Sequence, residues 1–258
     1  MTLDIVDTNV WLGRWPFRHL PADDAASLAP KLVAAGVKHA WVGSFEGLFQ
    51  RDLAAANDRL AAQCGAVAGG LLAPFGTVNP RLPDWQDDLR RCHEAHGMRG
   101  IRLAPGYHGY ALDDDSLPAL LREAAERRLL VELLASLEDT RTQHPLARVP
   151  PVDLAPLAEV IRPIKDLRLV CLGAFHAANR AAIEHAAAAG EVYFEIATLE
   201  GAGGIAKLIE WVTVDRILFG SAAPFFYFQA ARLKLQEAEL AGQQIEQICH
   251  ANARRLLG

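Results

Sequence analysis

The sequence predicts a single (β/α)8 barrel, and three observations predict it. Eight short apolar runs alternate with amphipathic stretches along 258 residues. That regularity favours a closed barrel of parallel strands over a doubly wound open sheet. Several runs are apolar on both faces, as in Leu129–Leu134 and Leu167–Leu172, the mark of strands covered on both sides. No Pro- or Ser-rich linker and no low-complexity tract divides the chain, so residues 1–258 read as one domain.

The predicted strands are Ile5–Trp11, His39–Gly43, Leu71–Val78, Gly100–Leu103, Leu129–Ala135, Leu167–Leu172, Val192–Ala197 and Arg216–Phe219. Helical signals lie between them. Ala25, Leu28, Leu32 and Val33 fall at helical spacing and Gly36 ends them. Leu53, Leu60 and Cys64 repeat the pattern before Gly65. Trp85, Leu89 and Cys92 follow Asp84 and stop at Gly97. Ser116 is placed to cap a helix carrying Leu117, Leu120, Leu121 and Ala124, and Asp153 one carrying Leu154, Leu157 and Ile161. Ala177–Ala189 and Gly204–Val212 continue the alternation, and Phe228–Leu257 is a helical tail broken at Ala241-Gly242.

Composition narrows the partners. The net charge is −5, from 26 basic and 31 acidic residues, with no basic stripe, which argues against nucleic acid. No apolar run approaches the ~18–20 residues of a membrane span. Met1–Asp7 holds two acids and no basic n-region, so no secretory signal is expected. Cys64, Cys92, Cys171 and Cys249 are scattered without a CxxC pair. Reduced, buried thiols in a cytoplasmic protein are the simplest reading.

Three strand-to-helix connections are long: Leu12–Pro21, Ala104–Asp115 and Ser136–Val152. In a barrel such loops lie at the C-terminal ends of the strands, where active sites sit. Asp7, Asn9 and Trp11 share one face of the first strand, either lining a pocket or satisfying the strand end. Arg102 alternates with Ile101 and Leu103, so it points into the barrel and needs a carboxylate or an anionic ligand there. His108, in a Gly-flanked aromatic loop, is a candidate acid or base near neutral pH. Glu138 and His144 are further acid–base candidates, with Arg141 to hold a carboxylate. The alternative is that Glu138, Asp139 and Arg141 pair among themselves to order a long loop. His176, Glu195, Thr198, Glu200 and Ser221 end later strands, and Phe225–Phe228 is either a pocket wall or core. His19, His39, His93, His96, His185 and His250 read as structural or solvated. No HxH, HExxH, GxSxG or phosphate-loop motif is present.

The segments Ile5–Asn9, Gly100–Pro105, Val192–Ala197, Arg216–Pro224 and Ile248–Leu257 resemble the amidohydrolase-related family of metal-dependent TIM-barrel hydrolases and decarboxylases (amidohydrolase 2), across essentially the whole chain. The resemblance implies an HxH metal pair on the first strand, a His ending the fifth, His-Leu-Gly ending the sixth, and an Asp after Gly-Ser on the eighth. Here those places hold Asn9 and Trp11, a position near Leu134, Cys171-Leu-Gly173, and Ala222. Trp, Leu and Ala do not bind divalent ions, and an Asn carbonyl is a poor zinc ligand. No metal ligand and no cofactor is therefore assigned.

Three readings follow. The first is a metal-independent hydrolase or lyase acting on a small, carboxylate-bearing substrate. Glu138, His108 and His144 would carry the chemistry, and Asn9, Trp11, Arg102, Arg141 and His176 would bind substrate. The second is a catalytically inactive barrel that binds a ligand or partner. The third is a relocated metal site built from His108, His144 and His176. The partner expected is a small molecule, with neither nucleic acid nor membrane. Family barrels often dimerise, and the apolar faces of the tail helices leave a homodimer open.

Overall fold

The computed structural model describes residues 4–257. Its strands are β1 (Ile5–Leu12), β2 (Val37–Ser44), β3 (Leu72–Pro74), β4 (Gly76–Thr77), β5 (Gly100–Leu103), β6 (Leu130–Leu134), β7 (Arg168–Leu172), β8 (Glu191–Glu195) and β9 (Ile217–Leu218). They form a three-stranded sheet, β1-β2-β3, and a six-stranded sheet running from β4 to β9, every pairing being parallel.

The two sheets are one barrel. β3 and β4 are halves of the predicted third strand. Pro74 ends the first half because it has no N–H for the ladder. The next N–H, that of Phe75, still donates to Val42 O at 2.8 Å, so the ladder crosses the break. The other seam closes at β1. Thr8 N–H donates to Phe219 O at 2.9 Å, Trp11 N–H donates to Ala223 O at 2.8 Å, and Val10 bridges Ala223 in parallel. With β3 and β4 counted as one strand, the barrel is the eight-stranded one the alternation predicts.

Two apolar layers follow from strand alternation. Outward side chains such as Ile101, Leu103, Val131, Leu169 and Phe194 pack under the helices. Inward ones such as Val6, Trp41, Leu130, Val170, Tyr193 and Leu218 fill the barrel. The C-terminal helix Asn252–Leu257 adds Ala253 and Leu256 to this inner layer. Asn252 Nδ2 fixes it by donating to Val214 O and Ile217 O, both at 2.8 Å.

Two predicted helix starts differ in detail. Asp153 accepts the N–H of Ala155 at 2.9 Å in a turn, and the helix begins later, at Leu157. Ser116 stands at the N-cap of helix Leu117–Glu126 but makes no cap bond, because its hydroxyl donates to Asp114 Oδ1 at 2.6 Å. The tail divides into Phe228–Glu237, Gly242–Glu246, a π-turn at Gln247–Ala251 and Asn252–Leu257. Among the described residues, no helix is long and apolar enough to cross a membrane.

Candidate functional site

The inner layer becomes polar toward the C-terminal ends of the strands. Asp7 is fully buried and binds the start of the loop after β9. Ser221 N–H donates to its Oδ1 at 3.0 Å, and the Ser221 hydroxyl donates to its Oδ2. Burial pushes the Asp7 carboxyl up to about 7 despite these bonds. Asn9 and Trp11, on the same face, continue the chain of contacts. The indole N–H of Trp11 donates to Asn9 Oδ1 at 2.8 Å, and Asn9 Nδ2 donates to Glu195 Oε1 at 3.3 Å. Glu195 also accepts the N–H groups of Gly173 at 2.7 Å and Ala197 at 2.6 Å. Gly173 is needed there, because φ is +64° and a Cβ would lie 1.7 Å from Ser136 O.

Arg102 points into the barrel, as its alternation requires, and its partner is a protein carboxylate. Arg102 Nε donates to Glu132 Oε2 at 2.7 Å, with both side chains sealed from solvent. Register places the two residues opposite each other across β5 and β6. Arg102 Nη2 and Glu132 Oε1 have no partner, so the pair is bonded at one edge only. Burial raises the Glu132 carboxyl to about 7, with the Arg102 charge opposing the rise.

Above this layer the mouth is closed by aromatic rings. Trp11 is 0% exposed and stacks on Phe45, with centroids 5.1 Å apart and planes within 8°. Trp15, from the first long loop, meets Phe45, Phe49 and Phe225 edge-on at 5.3, 5.3 and 5.0 Å. Offset and edge-to-face contacts of this kind add to burial energy. Of the predicted aromatic wall, Phe225 therefore closes the mouth, whereas Phe228 packs outward on Phe219.

The acid–base and binding candidates are not gathered into one constellation. Glu138 is buried at the mouth and its carboxyl makes no hydrogen bond among the described residues. Burial raises it and the Arg18 charge draws it down. His108 Nε2 donates to Gly47 O at 2.9 Å, and burial lowers its pKa while that hydrogen bond opposes the fall. His144 is exposed, stacked on Phe17 at 5.0 Å, and accepts the Leu146 N–H at 3.2 Å. Arg141 is engaged by Asp139 and points to solvent. Of the two readings given for it, loop ordering is the one its contacts match. His176 pairs with Glu200 at 3.2 Å. The three His of the relocated-metal reading thus have separate partners. Among the described residues no group of three or more His, Cys, Asp or Glu is arranged to hold a metal ion.

One pocket opens beside the plugged axis, with a volume of about 610 Å3. Arg18, His176, Thr198, Ser221, Phe225 and Lys234 line it, from the loops after β1, β7, β8 and β9 and the helix that follows. Thr198 Oγ1 and His176 Nδ1 are buried without a partner. Lys234 Nζ donates to Ile196 O at 3.0 Å, and burial lowers its pKa. Arg18 Nη2 donates to Phe225 O at 2.6 Å and lies over the same ring. A larger groove, about 980 Å3, opens at the opposite end among Arg128, Arg168, Glu191 and Arg216. Function in barrels of this type resides at the C-terminal ends of the strands, so the rim pocket is the candidate site.

Arg102, Asn9 and Trp11, expected from the sequence to bind substrate, are sealed in the interior, and of those candidates His176 lines the rim pocket; Glu132, Trp15, Arg18 and Lys234 are not singled out by the sequence. Glu132 left one signal, a lone acid inside an apolar strand. The others depend on loop and helix placement, which spacing does not encode.

A barrel closed at its axis, with a rim pocket at the strand ends, defines a TIM-barrel protein. The chain matches the amidohydrolase family model (Amidohydro_2) over residues 13–258 and belongs to that family. Its fold is similar to that of 2,6-dihydroxybenzoate decarboxylase from Rhizobium, at 14% identity and TM-score 0.75, covering 99% of this chain and 98% of that one. It is similar to 5-carboxyvanillate decarboxylase from Sphingomonas paucimobilis, at 11% identity and TM-score 0.76, covering 99% of each. An uncharacterized TIM-barrel protein from Bordetella bronchiseptica gives 18% identity and TM-score 0.76, covering 99% and 98%. No curated protein sequence matches the chain.

The family's metal was tested against the side chains present. Trp11 and Asn9 are bonded to each other where the resemblance implies a His pair, Leu134 is buried apolar, and Ala222 offers no donor. This donor set does not fit a divalent ion, and no step is derived through one.

Proposed function

We propose that this amidohydrolase-family protein is a binding barrel for a small carboxylate-bearing molecule, held at the rim pocket without the family's metal-centred chemistry. The observation that carries the reading is Trp11, whose indole is 0% exposed and hydrogen-bonded to Asn9 at 2.8 Å. Reopening the axis would mean displacing a stacked, fully buried tryptophan.

The carboxylate class rests on two supports. The structural neighbours are named for 2,6-dihydroxybenzoate and 5-carboxyvanillate. The rim pocket offers Arg18, Lys234, His176 and the Thr198 hydroxyl against the apolar face of Phe225, with Glu200 and Glu237 on the same lining and Glu200 already paired with His176. An anion there would complete the buried Thr198 Oγ1 and pair with charge already desolvated.

The metal-independent hydrolase or lyase is the second reading. It is favoured by Glu138, a buried carboxyl with no hydrogen bond and a raised pKa, the pattern of a group kept for proton transfer. His108 and His144 are less suited to join it, being tied to Gly47 and Phe17.

The test is calorimetric titration of the protein with 2,6-dihydroxybenzoate and related aromatic carboxylates, with product analysis of the same mixtures. The expected outcome is saturable binding, weakened by Thr198→Val and Lys234→Met, with the carboxylate recovered intact. Turnover lost in Glu138→Gln would establish the second reading instead.

A further inference from the structure

The barrel axis carries a cation of its own. The Arg102 guanidinium donates to Glu132 at 2.7 Å and to Val10 O at 3.2 Å. Its carbon lies 4.2 Å from the centroid of the Trp11 ring. On the neighbouring strand, a Cβ added at Gly43 would lie 2.4 Å from Nη1 and 2.7 Å from Cζ. One strand thus supplies the counter-charge, one a π-face, and one a bare backbone that leaves room. A guanidinium does not shed its charge, and one unpaired in such an interior would be strongly unfavourable. Loss of metal ligands alone would let the axis become apolar. Instead the interior holds an acid and matches it with a fixed positive charge.

We propose that Arg102 is this barrel's resident cation, standing in for a metal ion as the positive charge of the axis, with Glu132 its counter-ion and Gly43 and Trp11 its housing. Arg102 is then no grip for a bound anion, and a ligand of the rim pocket binds without touching it. The proposal rests on the reading that the metal positions have been lost.

The test is thermal melting of the full chain with Arg102→Ala, alone and with methylguanidinium added. The variant melts about 10 °C below wild type, as expected when one member of a buried pair is removed. Methylguanidinium at about 10 mM restores several degrees by binding the folded form. It leaves wild type and Arg102→Ala/Glu132→Gln unmoved. An unaltered melting point, or an equal response in the double variant, overturns the proposal.

Should Arg102→Ala not fold, Arg102→Met and Arg102→Met/Glu132→Leu decide. The double variant, lacking both charges, is predicted to be the more stable of the two, and the reverse order overturns the proposal. Stoichiometric metal in the wild-type protein would instead defeat the reading beneath it. Metal-free wild type with unrescued Arg102→Ala would defeat the resident-cation proposal alone.

Discussion

The guanidinium of Arg102 lies 4.2 Å from the ring centroid of Trp11. A charge on β5 and an indole on β1 thereby close the barrel axis from two sides. The position for which the family resemblance implies a metal-binding His instead holds a residue that covers an internal cation. This contact links the fold's stability to the charge held inside the barrel.

Trp11 should therefore be worth more than its size. Trp11→Ala removes a fully buried ring, uncovers Arg102 and strips Asn9 of a donor, and is expected to cost about 3–5 kcal/mol. Trp11→Phe keeps a stacking face and loses mainly the Asn9 hydrogen bond, for about 1 kcal/mol. Urea unfolding of both variants checks the ranking. Equal losses would mean that the stack contributes little.

Gly43 and Gly65 should respond oppositely to alanine. A Cβ at Gly43 meets the Arg102 guanidinium at 2.4 Å, whereas nothing lies within 4 Å of one at Gly65. Gly43→Ala is expected to destabilise by about 1–3 kcal/mol through overpacking. Gly65→Ala, near the end of a helix, should stabilise by about 0.4–1 kcal/mol. Differential scanning fluorimetry of the pair is sufficient to see the difference in sign.

Stability should fall from mildly acid to neutral pH. Asp7 is raised by burial from 3.8 to about 7. Between those limits the folded chain binds more protons than the unfolded one, so its contribution is fully present below about 4 and is lost as pH rises through about 7. Asp24 and Asp58 are lowered, but they are exposed and screened, and, like the half-buried Asp114, they act only at lower pH. Melting temperature should be higher at pH 5.5 than at pH 8, and Asp7→Asn should flatten the slope. A melting temperature that rises across this interval would contradict the assignment.

The rim pocket should be separable from the core. Thr198→Val removes a hydroxyl that bonds nothing among the described residues, so stability should hold or improve. Carboxylate affinity should drop about tenfold, the loss of one good hydrogen bond. Calorimetry and melting on the same sample test both halves. Affinity lost only in step with stability would remove Thr198 from the site.

Much of this architecture was legible in the residues. The alternation Ile101-Arg102-Leu103 places the arginine inward, and Asn9 and Trp11 share the inner face of β1, as a strand's period of two requires; Val6 and Asp7 both join the interior because β1 is irregular between Asp7 and Val10, which alternation does not foresee. The third strand is legible as one run, Leu71–Val78, but its division after Pro74 is not. The rest of what was not legible is non-local. Nothing near Arg102 names Glu132 as its partner, since β5–β6 register sets that pairing. Trp15 becomes the hub of the aromatic cover only through the course of a ten-residue loop, Leu12–Pro21. Arg141 resembled a ligand grip because its spacing from Asp139 carries no mark of whether the two pair. Lys234 reaches the pocket from a helix face that periodicity alone assigns to solvent.

The most direct measurement is metal content by plasma mass spectrometry, on protein purified without chelator or affinity metal, before and after incubation with zinc and manganese. The account predicts far less than one metal ion per chain in both samples, with unchanged melting. Near-stoichiometric metal that raises the melting temperature would contradict it, since the interior of Trp11, Asn9 and Arg102 has no place for the ion.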